Sequence, residues 1–581
     1  MLKPQSNPYR QTLTLASFWD FRFDPKDIGK NEGWMNGVSQ VVPIAVPASW
    51  NDQFADERDN LGPAWYQNRF DLPWGWGSQE IWLRFNSVNY LAEVWLNGVK
   101  IGEHEGGHLP FDFNVTGQVR SEGNLLVVRV DGALAPERVP PGAIPAIPGQ
   151  NFDNQCYPPA NFDFYPFCGI QRPVVLYSLP KGGLDDLTVV TDLAGTTGVI
   201  RIDITTRSDD KAVKATLRLR GPVCDISTTG FPAAEKQMQL SIPQARLWSP
   251  DSPTLYQLVV ELERDNVVFD RYTLDIGIRT ITVEGDQLLL NGKPVFLKGF
   301  GRHEDFPVTG RGWVPAVIIK DYNLMKWVGA NSFRTTHYPY SDEMMDLADR
   351  LGFLVIDETP AVGLFFDGQG LENRLRVCRQ YTRELIARDK NHPSVILWSL
   401  ANEPHSVEPA AQQFFRPLFD LAKSLDQTRP ITLVSSVGPQ ERAFDFLDVV
   451  CLNRYHGWYT EPGQLEKGIN QLSNELEEMH ALYPKPLILT EFGADAIPGV
   501  HAQPMELFSE EYQAETIAQT IRLLNTKPYV VGQHVWNLCD FKTAQAVRRM
   551  GGMNYKGVFT RDRRPKLAAH RLKALWDQSE E

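Results

Sequence analysis

From residue 279 onward, short apolar runs alternate with amphipathic stretches eight times, and a chain patterned in this way has few ways to fold. The runs VFLKGFG (295–301), ANSFRTTH (330–337), FLVIDE (353–358), VILWSLANE (395–403), ITLVSS (431–436), VVCLNRYH (449–456), LILTEFG (487–493) and VGQHVWN (531–537) read as strands. Between them lie helix-period segments such as SDEMMDLADRLG (341–352) and YTRELIARDKN (381–391). Eight strand–helix units over about 300 residues predict a closed (β/α)8 TIM barrel, whose working face lies at the C-terminal ends of the strands.

A chain of 581 residues is too long for that barrel alone. Residues 1–180 are β-rich: IWLRF (81–85) alternates, AEVWLNGVKIGEH (92–104) reads as a hairpin turning at Asn97-Gly98, and LLVVRVDG (125–132) reads as a further strand. An antiparallel jelly-roll sandwich fits this segment. Within it RVPPGAIPAIPGQ (138–150) is too rich in Pro and Gly for a regular element and reads as an extended surface loop. Residues 181–278 carry closely spaced strands with turn residues between them, the pattern of a seven-stranded immunoglobulin-like sandwich. The expectation is three units: 1–180, 181–278 and the catalytic barrel 279–581.

Composition narrows the function. A net charge of −13 leaves no basic stripe to displace counterions from phosphates, which argues against nucleic acid as a partner. No run is long and apolar enough for a bilayer, and the first residues contain no continuous apolar h-region, so a cytoplasmic enzyme is the simplest expectation. The six cysteines show no CxxC pair, which points to reduced, buried thiols; no metal or other cofactor is expected. The 15 Trp, 18 Tyr and 30 Phe supply flat faces on which sugars stack, although most are expected to fill β cores.

The chemistry rests on Glu403 and Glu491, which end the fourth and seventh apolar runs in LWSLANEP (397–404) and PLILTEFG (486–493). An isolated glutamate usually serves the surface or a helix cap. Two at active-face strand ends, on strands facing each other across a barrel mouth, are the equipment for cleaving a glycosidic bond: one carboxyl donates a proton to the leaving oxygen and the other attacks the anomeric carbon.

DKNHPSVILWSLANEP (389–404) and GANSFRTTHYPYSDEMMDLADRLGFLVIDE (329–358) resemble the two signatures of the family-two glycoside hydrolases, whose domain order also matches over essentially the whole chain. The resemblance implies a retaining, exo-acting glycosidase with Glu403 as acid/base, Asn402 bonding the sugar 2-hydroxyl and Glu491 as nucleophile. Arg334 and Tyr455 are expected to keep Glu491 ionised while burial raises Glu403. Within the family, FGRHED (300–305), NRYHGWY (453–459), HVWN (534–537) and MNYKGVFTRDRRPK (553–566) are similar to the β-glucuronidase branch. Its Asn-x-Lys motif, matched by Asn554 and Lys556, implies a grip on the C6 carboxylate of a small-molecule or oligosaccharide β-glucuronide, and a buried carboxylate does need a charged partner. The same likeness places Asp163 near the sugar C4, Tyr455, Tyr459 and Trp536 around the pocket, His303 and His337 at strand ends, and Arg549 as a second cation. One extra residue stands between the glycine pair and Asn554. The segment AVGLFFDGQGLENRLRV (361–377) is shorter than in many bacterial relatives, which predicts an open rim and bulky leaving groups. A homo-oligomer, dimer or tetramer, is the family expectation. The alternatives are a β-galacturonidase, another β-glycosidase such as a galactosidase or mannosidase, or an inactive carbohydrate-binding protein.

Overall fold

In the computed structural model of the protein, residues 1–144, 156–208, 210, 212–232 and 237–577 are described. The N-terminal part is a sandwich in which a six-stranded antiparallel sheet faces a four-stranded one. Its hairpin Leu91–Leu96 and Val99–Glu105 turns at Asn97 (φ 53°) and Gly98 (φ 83°). Two left-handed residues in succession match the right-handed twist of the flanking strands. Trp19, Trp50, Tyr66 and Phe85 are buried between the sheets, so aromatic residues here mostly fill the core. Part of 138–150 lies outside the described residues, and the described part departs from a surface loop. Val139 is fully buried, its N–H donating to Tyr90 Oη at 3.0 Å and its carbonyl accepting from Tyr381 Oη at 3.2 Å.

The second unit has sheets of three and four strands, the seven of an immunoglobulin-like sandwich. In Thr197–Thr206, Ile200, Ile202 and Ile204 face inward and alternate with half-buried polar residues, the period-2 pattern of a sheet covered on one face.

The barrel is built from β1 (Leu297–Gly301), β2 (Ser332–Arg334), β3 (Leu354–Glu358), β4 (Val395–Asn402), β5 (Ile431–Ser435), β6 (Val450–Asn453), β7 (Leu487–Glu491) and β8 (Val530–Val535). All neighbours pair in parallel, and β8 closes on β1 through Leu297–Gly532 and Gly299–His534. The hairpin Ile281–Glu284 and Gln287–Leu290 packs Ile281, Leu288 and Leu290 against Leu297, Ile356, Val434 and Ile488, filling the barrel's lower end. Seven α-helices accompany the strands among the described residues: α1 (Pro315–Trp327), α2 (Asp342–Leu351), α3 (Leu371–Asp389), α4 (Pro409–Leu425), α5 (Leu465–Leu482), α6 (Glu510–Leu524) and α7 (Leu567–Asp577). The expected eighth is replaced: β5 passes to β6 through two 3-10 turns, Gly438–Gln440 and Ala443–Asp445, in a short connection that Gly438 (φ 67°) and Pro439 interrupt at its start. Helix α2 matches its expected span, with Ser341 accepting from Met344 N–H at one end and Gly352 left-handed (φ 76°) at the other.

One strap of the first sandwich reaches the barrel mouth. Tyr165 N–H donates to the Lys542 carbonyl at 2.9 Å, and Asn161 Nδ2 to the Gly363 carbonyl at 2.8 Å. Asp163 lies between these anchors and is thereby held over the C-terminal face.

Candidate active site

At the C-terminal face lies a cavity of about 990 Å³ whose wall includes Glu403, Glu491, Asn402, Asp163, Tyr455 and Arg549. His337, Tyr459 and Trp536 also line it. Glu491 is the last residue of β7; Glu403 follows β4 with φ 45° and ties its own N–H to the Val434 carbonyl at 2.8 Å. The left-handed turn ends the strand at the carboxylate.

The two glutamates have different partners. Glu491 is 4% exposed and accepts from Arg334 Nη2 at 2.5 Å and Tyr455 Oη at 2.6 Å. Glu403 accepts from Asn453 Nδ2 at 2.7 Å, and no cation is paired with it among the described residues. Burial pushes Glu403 above the usual carboxylate range. Burial also pushes Glu491 up, to about 8, with the Arg334 charge opposing and the Glu403 charge reinforcing the rise. Glu491 is therefore not held down as expected from its partners alone. Two carboxyls coupled in this way titrate as a pair that retains one proton around neutrality. The Arg334 cation and the Tyr455 phenol favour the ionised form of Glu491, whereas Glu403 accepts only from the neutral Asn453 amide among the described residues.

Arg334 is fully buried and also serves Glu358, the last residue of β3, through Nη1 at 2.8 Å. Glu358 further accepts from Ser399 Oγ and pairs with His337 Nδ1, both at 2.8 Å. Burial works to raise its pKa, but the Arg334 charge and the His337 bond outweigh it and keep Glu358 low. Burial lowers His337 to about 4, so it is neutral near pH 7. Its ring stacks on Trp536 with centroids 5.0 Å apart. Asn402 Oδ1 accepts from Arg334 Nη1 at 3.3 Å and Asn453 Nδ2 at 3.1 Å, which aims the Asn402 amide N–H groups away from these donors.

The other end of the cavity is cationic. Arg549 binds Asp163 through both ends of its guanidinium fork, with Nε–Oδ1 at 2.9 Å, and donates to Tyr459 Oη at 2.6 Å. Lys556 Nζ, 1% exposed, sits 2.6 Å from Asp495 Oδ2 and 2.7 Å from Tyr459 Oη. Asn554 Nδ2 donates to Asp163 Oδ2 at 3.0 Å. Gly551 and Gly552, just before Asn554, are both left-handed (φ 65° and 67°), and Arg549 lies on the cavity wall.

Asn554 and Lys556 do not themselves line the cavity; they stand one layer behind Asp163, Tyr459 and Arg549. His303 is also displaced from the wall. It is buried against Trp536, Phe164 and Phe541, with Nδ1 3.1 Å from Tyr338 Oη, and burial drives its pKa well down. Three residues of the site went unnoticed in the sequence: Asn453, Glu358 and Asp495. Each closes or closely follows a barrel strand, and that position was the available signal.

Among the described residues no helix is long and apolar enough to cross a membrane. Residues 281–580 match the model for glycosyl hydrolases family 2, TIM barrel domain; 13–180 match that for glycosyl hydrolases family 2, sugar binding domain, and 183–279 that for glycosyl hydrolases family 2. A β-glucuronidase of Paenibacillus borealis is 39% identical, with 100% of this chain and 99% of the relative covered. The β-glucuronidase of Mus musculus is 38% identical, covering 99% and 92%. Among solved structures, β-D-glucuronidase of Dictyoglomus thermophilum superposes with a TM-score of 0.91 at 38% identity, covering 100% and 99%. The Ruminococcus gnavus β-glucuronidase in complex with D-glucaro 1,5-lactone superposes at 0.92 and 37%, covering 99% of each chain. The buried carboxyl pair at the barrel mouth, the three-part architecture and these full-length matches converge, and the chain belongs to family 2 of the glycosyl hydrolases.

Proposed function

We propose that this chain hydrolyses β-linked D-glucuronides, releasing terminal glucuronic acid with retention of configuration. The observation that carries the specificity is the charge at the Asp163 end of the cavity. Among the described residues Arg549 and Lys556 are paired with Asp163 and Asp495, and Arg548, exposed on the cavity wall, adds a further positive charge that supports binding of a substrate carboxylate. A neutral hexose would bring no negative charge to this cationic end. Arg549 and Tyr459 meet the uronate first, with Lys556 and Asn554 behind them, and Asp163 gives up part of its bond to Arg549 to accept the C4 hydroxyl.

In the cycle Glu491 attacks the anomeric carbon as Glu403 protonates the leaving oxygen, giving a glycosyl ester on Glu491. Glu403, now ionised, takes a proton from water, which cleaves the ester on the same face. Arg334 and Tyr455 hold the departing and returning carboxylate of Glu491, and Asn453 orients Glu403. The cavity is at the upper end of the range for ligand pockets, with Val362, Gly363 and Val437 beyond Glu403, which supports acceptance of bulky leaving groups.

Matched nitrophenyl β-glucuronide, β-galacturonide, β-glucoside and β-galactoside substrates test the reading. The expected order places glucuronide first and both neutral glycosides at least about 100-fold lower in kcat/KM, the loss of one buried charge pair. A glucoside turned over as well as the glucuronide would refute it, and a preference for galacturonide would reassign the C4 contact.

A further inference from the structure

Behind the Asp163 strap, between the first sandwich and the barrel, lies a second, small cavity lined by Arg172, Arg302, Arg311, Arg563, Glu304 and Asp305. Its charges do not balance. Arg172 is paired with Glu304 at 2.9 Å, and Asp305 with Arg561 at 2.6 Å. Arg302 and Arg563 share one carboxylate, Asp321, at 2.8 and 2.9 Å. Arg311, 4% exposed, has no carboxylate within ion-pair distance among the described residues; its guanidinium lies over the rings of Tyr338 (4.2 Å) and Phe164 (5.4 Å).

Two of these guanidinium groups also have unused donors. Arg302 Nη1 and Arg311 Nε are both buried without a hydrogen-bond acceptor. A charged donor left bare in the interior is among the more expensive arrangements a fold can hold, which is why such groups are normally paired. The first turn of α1 adds to the same sign. Its N-cap Val314 carries no side-chain acceptor, and Val314, Val317 and Ile318 line the cavity, so a 13-residue helix presents its positive end there.

We propose that this cavity binds one small monovalent anion of the chloride class. Its small volume, about 20 Å³, suits a single monatomic ion better than a four-oxygen anion. A water in the same place would accept hydrogen bonds but leave the surplus charge untouched. The anion compensates Arg311 and the unmatched member of the Arg302–Arg563 pair. It thereby stabilises the junction from which Phe164 and Tyr338, the neighbours of Asp163 and His337, are positioned.

The test uses the full chain in chloride-free gluconate buffer, titrated with sodium chloride, bromide or sulfate at fixed ionic strength. Chloride and bromide are expected to raise Tm saturably, by on the order of 2 °C, and sulfate to leave it unchanged. In Arg311→Met the halide response is lost. Crystals of the unaltered chain grown in bromide are expected to show one anomalous peak between Arg302 and Arg311, which decides the matter even where Arg311→Met does not fold. No halide response together with no bromide peak, or an equal response to sulfate, overturns the proposal.

Discussion

Replacing Arg334 by lysine isolates the electrostatics of the nucleophile. The native guanidinium reaches two carboxylates at once, Glu358 through Nη1 and Glu491 through Nη2. An ammonium is a single point of charge, and it follows the carboxylate that stays ionised, Glu358, whose pKa is kept low while that of Glu491 is raised. Glu491 then loses a charge-assisted bond worth about 3 kcal/mol in a buried site, equivalent to about 100-fold in rate or about two pKa units. Burial and the Glu403 charge already push Glu491 to about 8, and without Arg334 its proton is removed only at higher pH. The assay is kcat for nitrophenyl glucuronide across pH 5 to 9, with circular dichroism to confirm folding. The expected result is a loss of about 100-fold at pH 6 that narrows as pH rises, with KM changed little. A uniform loss at every pH, or none, would refute the assignment of Arg334 as the group that favours the ionised form of Glu491.

Three further outcomes are expected. Glu403→Gln removes the acid and the like charge that raises Glu491. Substrates with poor leaving groups lose several orders of magnitude, activated ones much less, and the alkaline fall in kcat/KM disappears; equal losses on both would contradict the acid role. Lys556→Met, which also takes the 2.6 Å cation from Asp495, lowers kcat/KM by about 100-fold on glucuronides and by a smaller factor on glucosides, read from the same nitrophenyl series, because the uronate end of the cavity loses a positive charge. His392, whose pKa rises to about 9 because the Asp349 charge and hydrogen bond outweigh burial, makes stability pH-dependent. The raised pKa means that its contribution, about 3 kcal/mol, is complete below pH 6.5 and is lost as pH climbs through 9. Denaturant unfolding of the protein and of His392→Gln at pH 6 and 10 checks this, with the gap between them expected to close at pH 10.

The periodic parts of this fold were legible because periodicity is a local property. Ile200, Ile202 and Ile204 announce a half-covered strand, and the Ser341 and Gly352 caps delimit α2 within a residue. The missing helix after β5 was not legible, since it depended on how few residues separate two strands already fixed by their neighbours. Site residues at strand ends could be read from position, as with Glu403, Glu491 and Tyr455. The depth of each side chain could not. Lys556 stands behind Tyr459, and His303 behind Trp536, because layers at a barrel mouth are set by residues far apart in the chain, here the strap carrying Asp163. The raised pKa of Glu491 has the same origin, for its cationic partner was foreseeable but the degree of burial was not.

The covalent route requires Glu491 to be the residue that bonds to the sugar. A 2-deoxy-2-fluoroglucuronyl fluoride slows breakdown of the glycosyl ester enough for it to be isolated, and peptide mapping by mass spectrometry then locates the adduct. One fluoroglucuronyl group per chain is expected, on the peptide ending β7, at Glu491. A label on Glu403, or turnover through an inverted product with no adduct, would contradict it.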